Sequence, residues 1–233
     1  MPQFSAVIVA AGRSQRFLDK FNRPGLRSKV FLNWQGRPIF LHSVERLLRW
    51  IDGEIALVVR PEDSPYFEEA MKDFWGLARV RLVAGGARRQ DSVRNGLLSL
   101  TETEFVAIHD AARPVVPDEV WARLSEIIKT SEACIPVIRV AETVKEIDSE
   151  GRVSKTHDRS KLVRVQTPQL FQFLLIRDLH EKLSDSTLDF TDDAMICEAA
   201  GVRVMTCEGS ALNVKVTTPE DVEMLERLVL WKG

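Results

Sequence analysis

Cysteine is scarce in this sequence, and long apolar runs are absent. The 233 residues include three cysteines, Cys134, Cys197 and Cys207, and no two of them are spaced as CxxC. Such spacing excludes a disulfide framework and a structural zinc site. No stretch approaches the roughly 18–20 apolar residues that a membrane span requires, and no basic leader precedes a long apolar segment at the N-terminus. We therefore expect a cytoplasmic protein that does not engage a membrane.

The sequence also lacks an excess of charge of one sign. Lysine and arginine total 32 against 34 aspartate and glutamate residues, so the formal net charge is -2. Because a protein that attracts nucleic acid through its overall field is strongly basic, we expect no nucleic-acid partner. Local basic clusters stand out against this neutral background: Arg13 with Arg16, Arg23 with Arg27 and Lys29, and Arg88 with Arg89. Any one of them alone is also compatible with a solvated surface.

Short β-branched runs alternate with longer amphipathic stretches along the chain. Strands are predicted at 5–10, 54–59, 80–85, 105–110, 133–138 and 202–207. Apolar residues at helical spacing predict helices at 39–50, 91–100, 118–130, 192–201 and 219–231. This alternation predicts an α/β protein with a Rossmann-like, three-layer architecture around a mostly parallel, twisted sheet. Because no linker or internal repeat interrupts it, residues 1–233 are interpreted as a single domain.

Residues 139–167 depart from this pattern. Two polar, alternating segments flank the turn sequence DSEG, which predicts a β-hairpin. Because the segment is too polar for the core, we expect the hairpin to project as an arm. An extended arm exposes strand edges that a partner subunit usually covers, and the expected assembly is a homodimer formed through this arm.

The first predicted strand runs into the sequence AAGRSQRF. Parallel sheets bind ligands beyond the carboxyl ends of their strands, and the small residues Ala10, Ala11 and Gly12 allow backbone N–H groups to approach a phosphate or a base. The single glycine excludes the dinucleotide pattern GxGxxG and the Walker sequence. Arg16 and Lys29 suit a polyphosphate whose charge must be neutralised. A plain strand–helix turn is the alternative.

A second small-residue corner follows the third predicted strand, in GGARRQDSV. Gly85 and Gly86 come directly after the strand, and Ser92 lies at the start of the next predicted helix. Paired glycines beside a helix N-terminus can bind an anion or a base. A simple tight turn explains the same residues.

Charged residues end the fourth predicted strand, in HDAARP, and recur near the C-terminus, in NVKV. Asp110 lies at the carboxyl edge, where a carboxylate suits a hard divalent cation such as Mg²⁺. Arg113 could hold a phosphate or pair with Asp110, and His109 could be a ligand or a hydrogen-bonded structural residue. Lys215, in a short predicted strand, faces either solvent or the site.

In this order, the motifs resemble those of the 2-C-methyl-D-erythritol 4-phosphate cytidylyltransferase family of the non-mevalonate isoprenoid pathway. The resemblance covers nearly the whole chain and rests on AAGRSQRF with SKVF, GGARRQDSV, HDAARP, AETVKEI, DRSKLVRVQTPQLF, FTDDA and NVKVTTPED. It implies a nucleotidyltransferase fold and Mg²⁺-dependent transfer of a cytidylyl group from CTP to methylerythritol phosphate, with release of pyrophosphate. Such a reaction needs positioning and charge neutralisation rather than a protein nucleophile.

The resemblance also implies roles for individual residues. Arg16, Lys29 and Lys215 match catalytic cations that stabilise the transition state, and Asp110 matches the magnesium-binding carboxylate. Contacts to CTP are implied for Ala10, Ala11, Gly12, Gly86, Ser92 and Asp110. Contacts to methylerythritol phosphate are implied for Arg113, Thr143, Thr191 and Lys215 and, from the neighbouring subunit, for Arg159.

Two other functions are compatible with the sequence. Ribitol 5-phosphate cytidylyltransferases share most of these motifs and differ in the acceptor. A non-catalytic sugar-nucleotide-binding module on the same fold belongs to a different class, although it would have little reason to assemble the full set of cations. The stretch between Arg16 and Lys29 is longer than the family pattern leads us to expect. We expect residues 17–28 to act as a mobile lid over CTP.

Overall fold

The computed structural model describes residues 3–20 and 26–230, and for Arg16 and residues 228–230 it describes the backbone alone. The strands are β1 (Phe4–Val9), β2 (Asn33–Trp34), β3 (Arg37–Pro38), β4 (Ile55–Val59), β5 (Val80–Ala84), β6 (Phe105–Asp110), β7 (Ala133–Arg139), β8 (Lys145–Ile147), β9 (Val153–Thr156), β10 (Val163–Val165), β11 (Gln169–Gln172) and β12 (Val204–Glu208). The helices are α1 (Gln15–Leu18), α2 (Ile39–Leu48), α3 (Ser64–Met71), α4 (Arg89–Ser99), α5 (Asp118–Ile127), α6 (Phe173–Lys182), α7 (Asp193–Ala199) and α8 (Pro219–Leu230).

Eight strands form one central sheet in the order β10-β7-β11-β6-β1-β4-β5, with β12 paired to β7. The pairs β6–β1, β1–β4, β4–β5 and β7–β12 are parallel, whereas β10 and β11 run antiparallel to their neighbours. The predicted α/β class and the mostly parallel sheet are therefore confirmed. The six predicted strands are present, and the antiparallel insertion of β11 was not predicted.

Helices cover both faces of the sheet, which explains why its central strands are mostly apolar. Successive residues of β1 belong to two separate cores: Ala6 and Ile8 pack with residues of α2 and α5, and Val7 packs with residues of α4 and α6. Side chains of a strand point alternately to its two faces, so one strand supplies both cores. This is the predicted three-layer arrangement.

The carboxyl ends of the parallel strands meet at one edge of the sheet. Val9, the last residue of β1, lies opposite Asp110, the last residue of β6. Val59 at the end of β4 lies opposite Ala84 at the end of β5. The loops with the small residues and the charged residues singled out in the sequence therefore leave the sheet side by side.

The predicted hairpin is present as β8 and β9, which pair antiparallel around a turn at residues 148–152. Every residue of both strands is exposed, including Ile147 at 62% and Val153 at 60%. The free hairpin is shorter than the predicted arm of 139–167, because β10 pairs with β7 and ties the end of that segment to the central sheet. No helix within the described residues is long and apolar enough to cross a membrane.

Candidate active site

The loops at the carboxyl edge enclose a first cavity of about 410 Å³. Its walls are the loop after β1, the segment between β5 and α4, and charged side chains from β6 and from near the C-terminus. The predicted site residues in its lining are Ala10, Ala11, Gly12, Lys29, Gly86, Ser92, Asp110 and Lys215. The N–H of Ala10 donates to the Val58 carbonyl at 2.7 Å, so a ligand must find its backbone donors further along the loop.

Close backbone approach requires glycine at the second corner. A Cβ at Gly86 would lie 2.4 Å from the Cβ of Asp91, and one at Gly85 would lie 2.6 Å from the Cβ of Ala11. The N–H of Gly86 donates to Ser92 Oγ at 3.1 Å. Ser92 thus holds the loop to the first turn of α4, which begins at Arg89, two residues earlier than predicted.

Two hydroxyl groups bring Lys29 to the loop after β1. Ser14, with a left-handed φ of 55°, reverses the chain before α1. Its Oγ lies 2.9 Å from Ser28 Oγ and accepts a hydrogen bond from the N–H of Lys29 at 3.3 Å. These contacts hold Ser28 and Lys29 beside Ser14, so Lys29 lines the first cavity together with the loop after β1.

The side chain of Arg16, the other predicted triphosphate cation, lies outside the described part of the chain, as do residues 21–25 of the predicted lid. At the two ends of that segment, Phe17 and Ser28 are each only 1% exposed. The predicted closure over CTP stays a prediction.

A second cavity of about 430 Å³ adjoins the first. The two share a wall formed by Arg89, Asp110 and Lys215. The predicted acceptor residues Arg113 and Thr191 line only the second cavity. The site therefore has two compartments that meet at one carboxylate and two cations.

Asp110 is the electrostatic centre of this junction. Its Oδ2 accepts from Lys215 Nζ at 2.9 Å and from Arg113 Nε at 3.3 Å. Burial alone would raise the pKa of Asp110, but the positive charges of Lys215, Arg89 and Arg113 lower that pKa well below its usual range. The carboxylate is therefore ionised throughout the neutral and mildly acidic range.

Lys215 reaches Asp110 from irregular backbone, so the prediction of a strand around it was wrong. Residues 211–217 contain no strand. The carbonyl of Asn213 accepts from Arg113 Nη1 at 2.9 Å and from Gln166 Nε2 at 3.1 Å, and the N–H of Val216 donates to the Ala112 carbonyl at 2.9 Å. Because these backbone groups bond to loops, they are not available to a neighbouring strand.

His109 is a structural residue behind the junction. Its Nε2 lies 3.1 Å from the Arg113 carbonyl and its Nδ1 3.0 Å from Thr167 Oγ1. Since a carbonyl only accepts, Nε2 carries the proton and the hydroxyl of Thr167 donates to Nδ1. The same Oγ1 accepts from the N–H of Asp110 at 3.1 Å. Burial lowers the pKa of His109 to about 4, so the chain of hydrogen bonds is intact at neutral pH.

Acidification below pH 6.5 should therefore destabilise the fold through His109. The imidazole binds a proton near pH 6.5 when unfolded and only near pH 4 when folded, so the unfolded state binds more protons in this window. Relative to neutral pH, the free energy of unfolding should fall by up to about 3 kcal/mol between pH 6.5 and 4. Urea titrations across this range should show a smaller decrease for His109→Gln.

The comparison between the two proteins isolates His109, because burial lowers the pKa of His42 in the same direction and that contribution is common to both. Equal pH slopes for wild type and His109→Gln would contradict the assigned buried neutral imidazole.

Thr143 and Arg159 are not brought into either cavity. Both are exposed on the segment that carries the hairpin. Arg159 Nη1 donates to the carbonyl of Ala141, so the two predicted acceptor residues lie on neighbouring stretches of the arm.

Three residues of the site were not predicted: Arg89, Gln169 and Asp192. Arg89 belongs to the recognised basic cluster in GGARRQDSV but was assigned no role. Gln169 lines the second cavity, and its Nε2 donates to Asp192 of the FTDDA motif at 2.9 Å. The motif signals were visible in the sequence, whereas the pairing of residues so far apart along the chain was not.

The residues at the junction fit a divalent cation that is completed by phosphate oxygens. Within the described residues, no three His, Cys, Asp or Glu side chains form a metal cluster. Mg²⁺ commonly takes one or two carboxylates, with phosphate and water as its other ligands. Both ion pairs of Asp110 use Oδ2, which leaves Oδ1 for such a cation.

A mostly parallel α/β sheet that presents small-residue loops to two joined cavities, with a carboxylate and two cations at their junction, is the arrangement of a nucleotidyltransferase. Residues 4–230 match the family model described as IspD, 2-C-methyl-D-erythritol 4-phosphate cytidylyltransferase. The chain belongs to the 2-C-methyl-D-erythritol 4-phosphate cytidylyltransferase family, as its motifs predicted.

Known proteins are similar to this chain over nearly its whole length. The 2-C-methyl-D-erythritol 4-phosphate cytidylyltransferase of Dictyoglomus thermophilum is 39% identical over 98% of this chain and 97% of its own length. The bifunctional enzyme IspD/IspF of Rhodopseudomonas palustris strain HaA2 is 41% identical over 94% of this chain, which spans 54% of that relative. The crystal structure of 4-diphosphocytidyl-2C-methyl-D-erythritol synthase from Anaerococcus prevotii superposes with a TM-score of 0.81 at 28% identity and covers 98% of each chain.

Proposed function

We propose that this chain transfers the cytidylyl group of CTP to the phosphate of 2-C-methyl-D-erythritol 4-phosphate and releases pyrophosphate. The observation that carries the proposal is the pair of cavities that share Asp110, Lys215 and Arg89. The first cavity, with its small-residue loops, takes the nucleotide. The second, with Arg113 and Thr191, takes the polyol phosphate, so that the two phosphates meet at the shared wall.

The reaction is an in-line displacement at phosphorus. An oxygen of the acceptor phosphate forms a bond to the α-phosphorus of CTP, and the bond from that phosphorus to the bridging oxygen breaks and releases pyrophosphate. Lys215 at the junction neutralises charge that accumulates around the α-phosphorus, and Lys29, with Arg16, neutralises the triphosphate. Since the acceptor phosphate is already an anion, no protein base is required; His109 is neutral and bonded at both nitrogens.

A magnesium ion at Asp110 is part of the proposal. Its charge would be shared with the phosphates of CTP and would offset the negative charge of the leaving pyrophosphate. Oδ1 of Asp110 is the protein oxygen that would hold it, and Lys215 and Arg113 keep that carboxylate ionised.

We further propose that the enzyme works as a homodimer in which the arm completes the partner's site. Three features support this. Arg159 and Thr143 are exposed on the arm, away from both cavities. The described part of the chain leaves every residue of the hairpin strands exposed, and Ile147 and Val153 expose most of their apolar surface. A partner subunit would bury that surface. A cytoplasmic location stays a prediction.

The test is pyrophosphate release from CTP with each acceptor in turn. The wild-type protein with Mg²⁺ should turn over methylerythritol phosphate, and EDTA should abolish turnover until Mg²⁺ is restored. Turnover with ribitol 5-phosphate alone would replace the proposed acceptor with the alternative. Binding of CTP without turnover of either acceptor would favour the non-catalytic binding module.

A further inference from the structure

Arg89 lies in the wall between the two cavities. It is the first residue of α4 and lines both compartments together with Asp110 and Lys215. Its side chain is 24% exposed, so most of it is enclosed by protein while part of it meets the two cavities that it lines. A positive charge in this position lies where the two substrates of the proposed reaction come together.

A buried carboxylate holds the guanidinium in place. Arg89 Nη2 donates to Asp193 Oδ2 at 2.7 Å, and the side chain of Asp193 has no exposed surface. Nε2 of His180, also buried, lies 3.3 Å from the other carboxylate oxygen. Burial alone would raise the pKa of Asp193, but the charge of Arg89 lowers it. Asp193 is therefore ionised beneath Arg89.

A buried ion pair of this kind contributes little net free energy to folding. Replacing a buried ion pair with apolar side chains of similar volume is often neutral or stabilising, because both charges lose their hydration. What the pair does provide is a fixed orientation. Asp193 engages Nη2, and within the described residues Nε and Nη1 make no hydrogen bond to protein and are not buried unpaired atoms. Those two donors are therefore available to a ligand in the cavities that Arg89 lines.

We propose that Arg89 binds phosphate oxygens at the junction of the two cavities and that Asp193 positions its guanidinium for this contact. The inference rests on the proposed function, in which the acceptor phosphate and the α-phosphate of CTP meet at that junction. A guanidinium is planar and permanently charged, and it presents parallel N–H donors that match phosphate oxygens. Arg89 can therefore hold two phosphates that would otherwise repel each other.

Steady-state kinetics of Arg89 variants test the first part. Arg89→Ala should lower kcat/KM by about 100-fold or more, the usual cost of losing one donor that stabilises developing charge. Arg89→Lys should recover part of the loss, because it keeps the charge without the planar pair of donors. Arg46→Lys is the matched control: Arg46 is 19% exposed and paired to Asp118 but lines neither cavity. Its kinetics should equal those of the wild type.

A double-mutant cycle tests the positioning role of Asp193. Asp193→Asn preserves the shape of the side chain and should lower kcat/KM by about tenfold when Arg89 is present. In the Arg89→Ala background the same change should cost less than about threefold, because there is no guanidinium left to orient. A merely structural role of Asp193 would lower activity equally in both backgrounds. Thermal unfolding of each variant verifies that the fold is retained, and Arg89→Gln replaces Arg89→Ala if that variant does not fold.

Two results would overturn the inference: a kcat/KM for Arg89→Ala within threefold of wild type, or equal costs of Asp193→Asn in the two backgrounds. Failure of the proposed function is a separate outcome, because the wild-type enzyme would then show no turnover of methylerythritol phosphate. If the wild type uses ribitol 5-phosphate, the same series is run with that acceptor. If neither acceptor reacts, the affinity for CTP with Mg²⁺ is compared between wild type and Arg89→Ala, and equal affinities reject the phosphate contact.

Discussion

Lys215→Ala should lower kcat by about three orders of magnitude, because it removes a cation that the fold holds at the proposed point of phosphoryl transfer. Lys215 lines both cavities, and its Nζ lies 2.9 Å from Asp110 Oδ2. Charge builds up on the phosphate oxygens as the new bond forms, so a cation at the junction stabilises the transition state more than the bound substrates. The KM for CTP should change far less than kcat. Pyrophosphate release at saturating substrates measures the effect.

The matched control for that variant is Lys129→Ala. Lys129 is half-exposed, is paired to Glu126 near the end of α5, and lines neither cavity. Both variants should keep a cooperative thermal transition. In Lys215→Ala the fold should be retained because Asp110 keeps its ion pair with Arg113. A Lys215→Ala enzyme with near-normal kcat would show that the junction is not where phosphoryl transfer occurs. Lys29→Ala should also abolish turnover, because Lys29 is proposed to neutralise the charge of the CTP triphosphate.

Mixing two impaired variants should restore activity at low acceptor concentration if the arm of one subunit completes the site of the other. Arg159→Ala alone should raise the KM for the acceptor by about 100-fold, since losing a charged hydrogen-bond partner costs about 2–3 kcal/mol. A mixed dimer of Arg159→Ala and Lys215→Ala has one site with both residues intact. Random exchange makes half of the dimers mixed, so about a quarter of wild-type activity should return. Activity at low acceptor concentration after subunit exchange is the measurement.

The control is a mixture of untagged Arg159→Ala with Arg159→Ala that carries a distinguishable tag, in which subunits exchange but no intact site forms. Mass measurement of the tagged species establishes that mixed dimers are present. If mixed dimers form without any gain in activity, Arg159 acts within its own chain or not at all.

Much of the fold followed from local pattern. Six of the eight strands of the central sheet were predicted, because β-branched runs such as residues 54–59 and 105–110 need burial on both faces. The polar hairpin was predicted from its alternation and its DSEG turn. The sequence did not predict β11, because a short apolar run between a turn and a helix gives no sign of its direction, and pairing antiparallel between β6 and β7 depends on long-range contacts.

The failure at Lys215 has a similar cause. NVKV has the composition of a strand, but the backbone around Lys215 bonds to loops instead of to a neighbouring strand. Local propensity is a weak guide where tertiary hydrogen bonds compete with a ladder. The structure nevertheless places the side chain of Lys215 in both cavities beside Asp110, and its catalytic role stays a prediction.

The sequence by itself determined the class of chemistry: its motifs, in their order, resemble those of one family of nucleotidyltransferases, and the single glycine of the first loop excludes the dinucleotide pattern. The tertiary structure alone decided how the site is divided. Only folding brings Arg89 to Asp193 and Lys215 to Asp110, residues about a hundred positions apart in the chain. Ion pairs of that kind leave no local periodicity in a sequence, because their geometry is set by the packing of the elements that carry them.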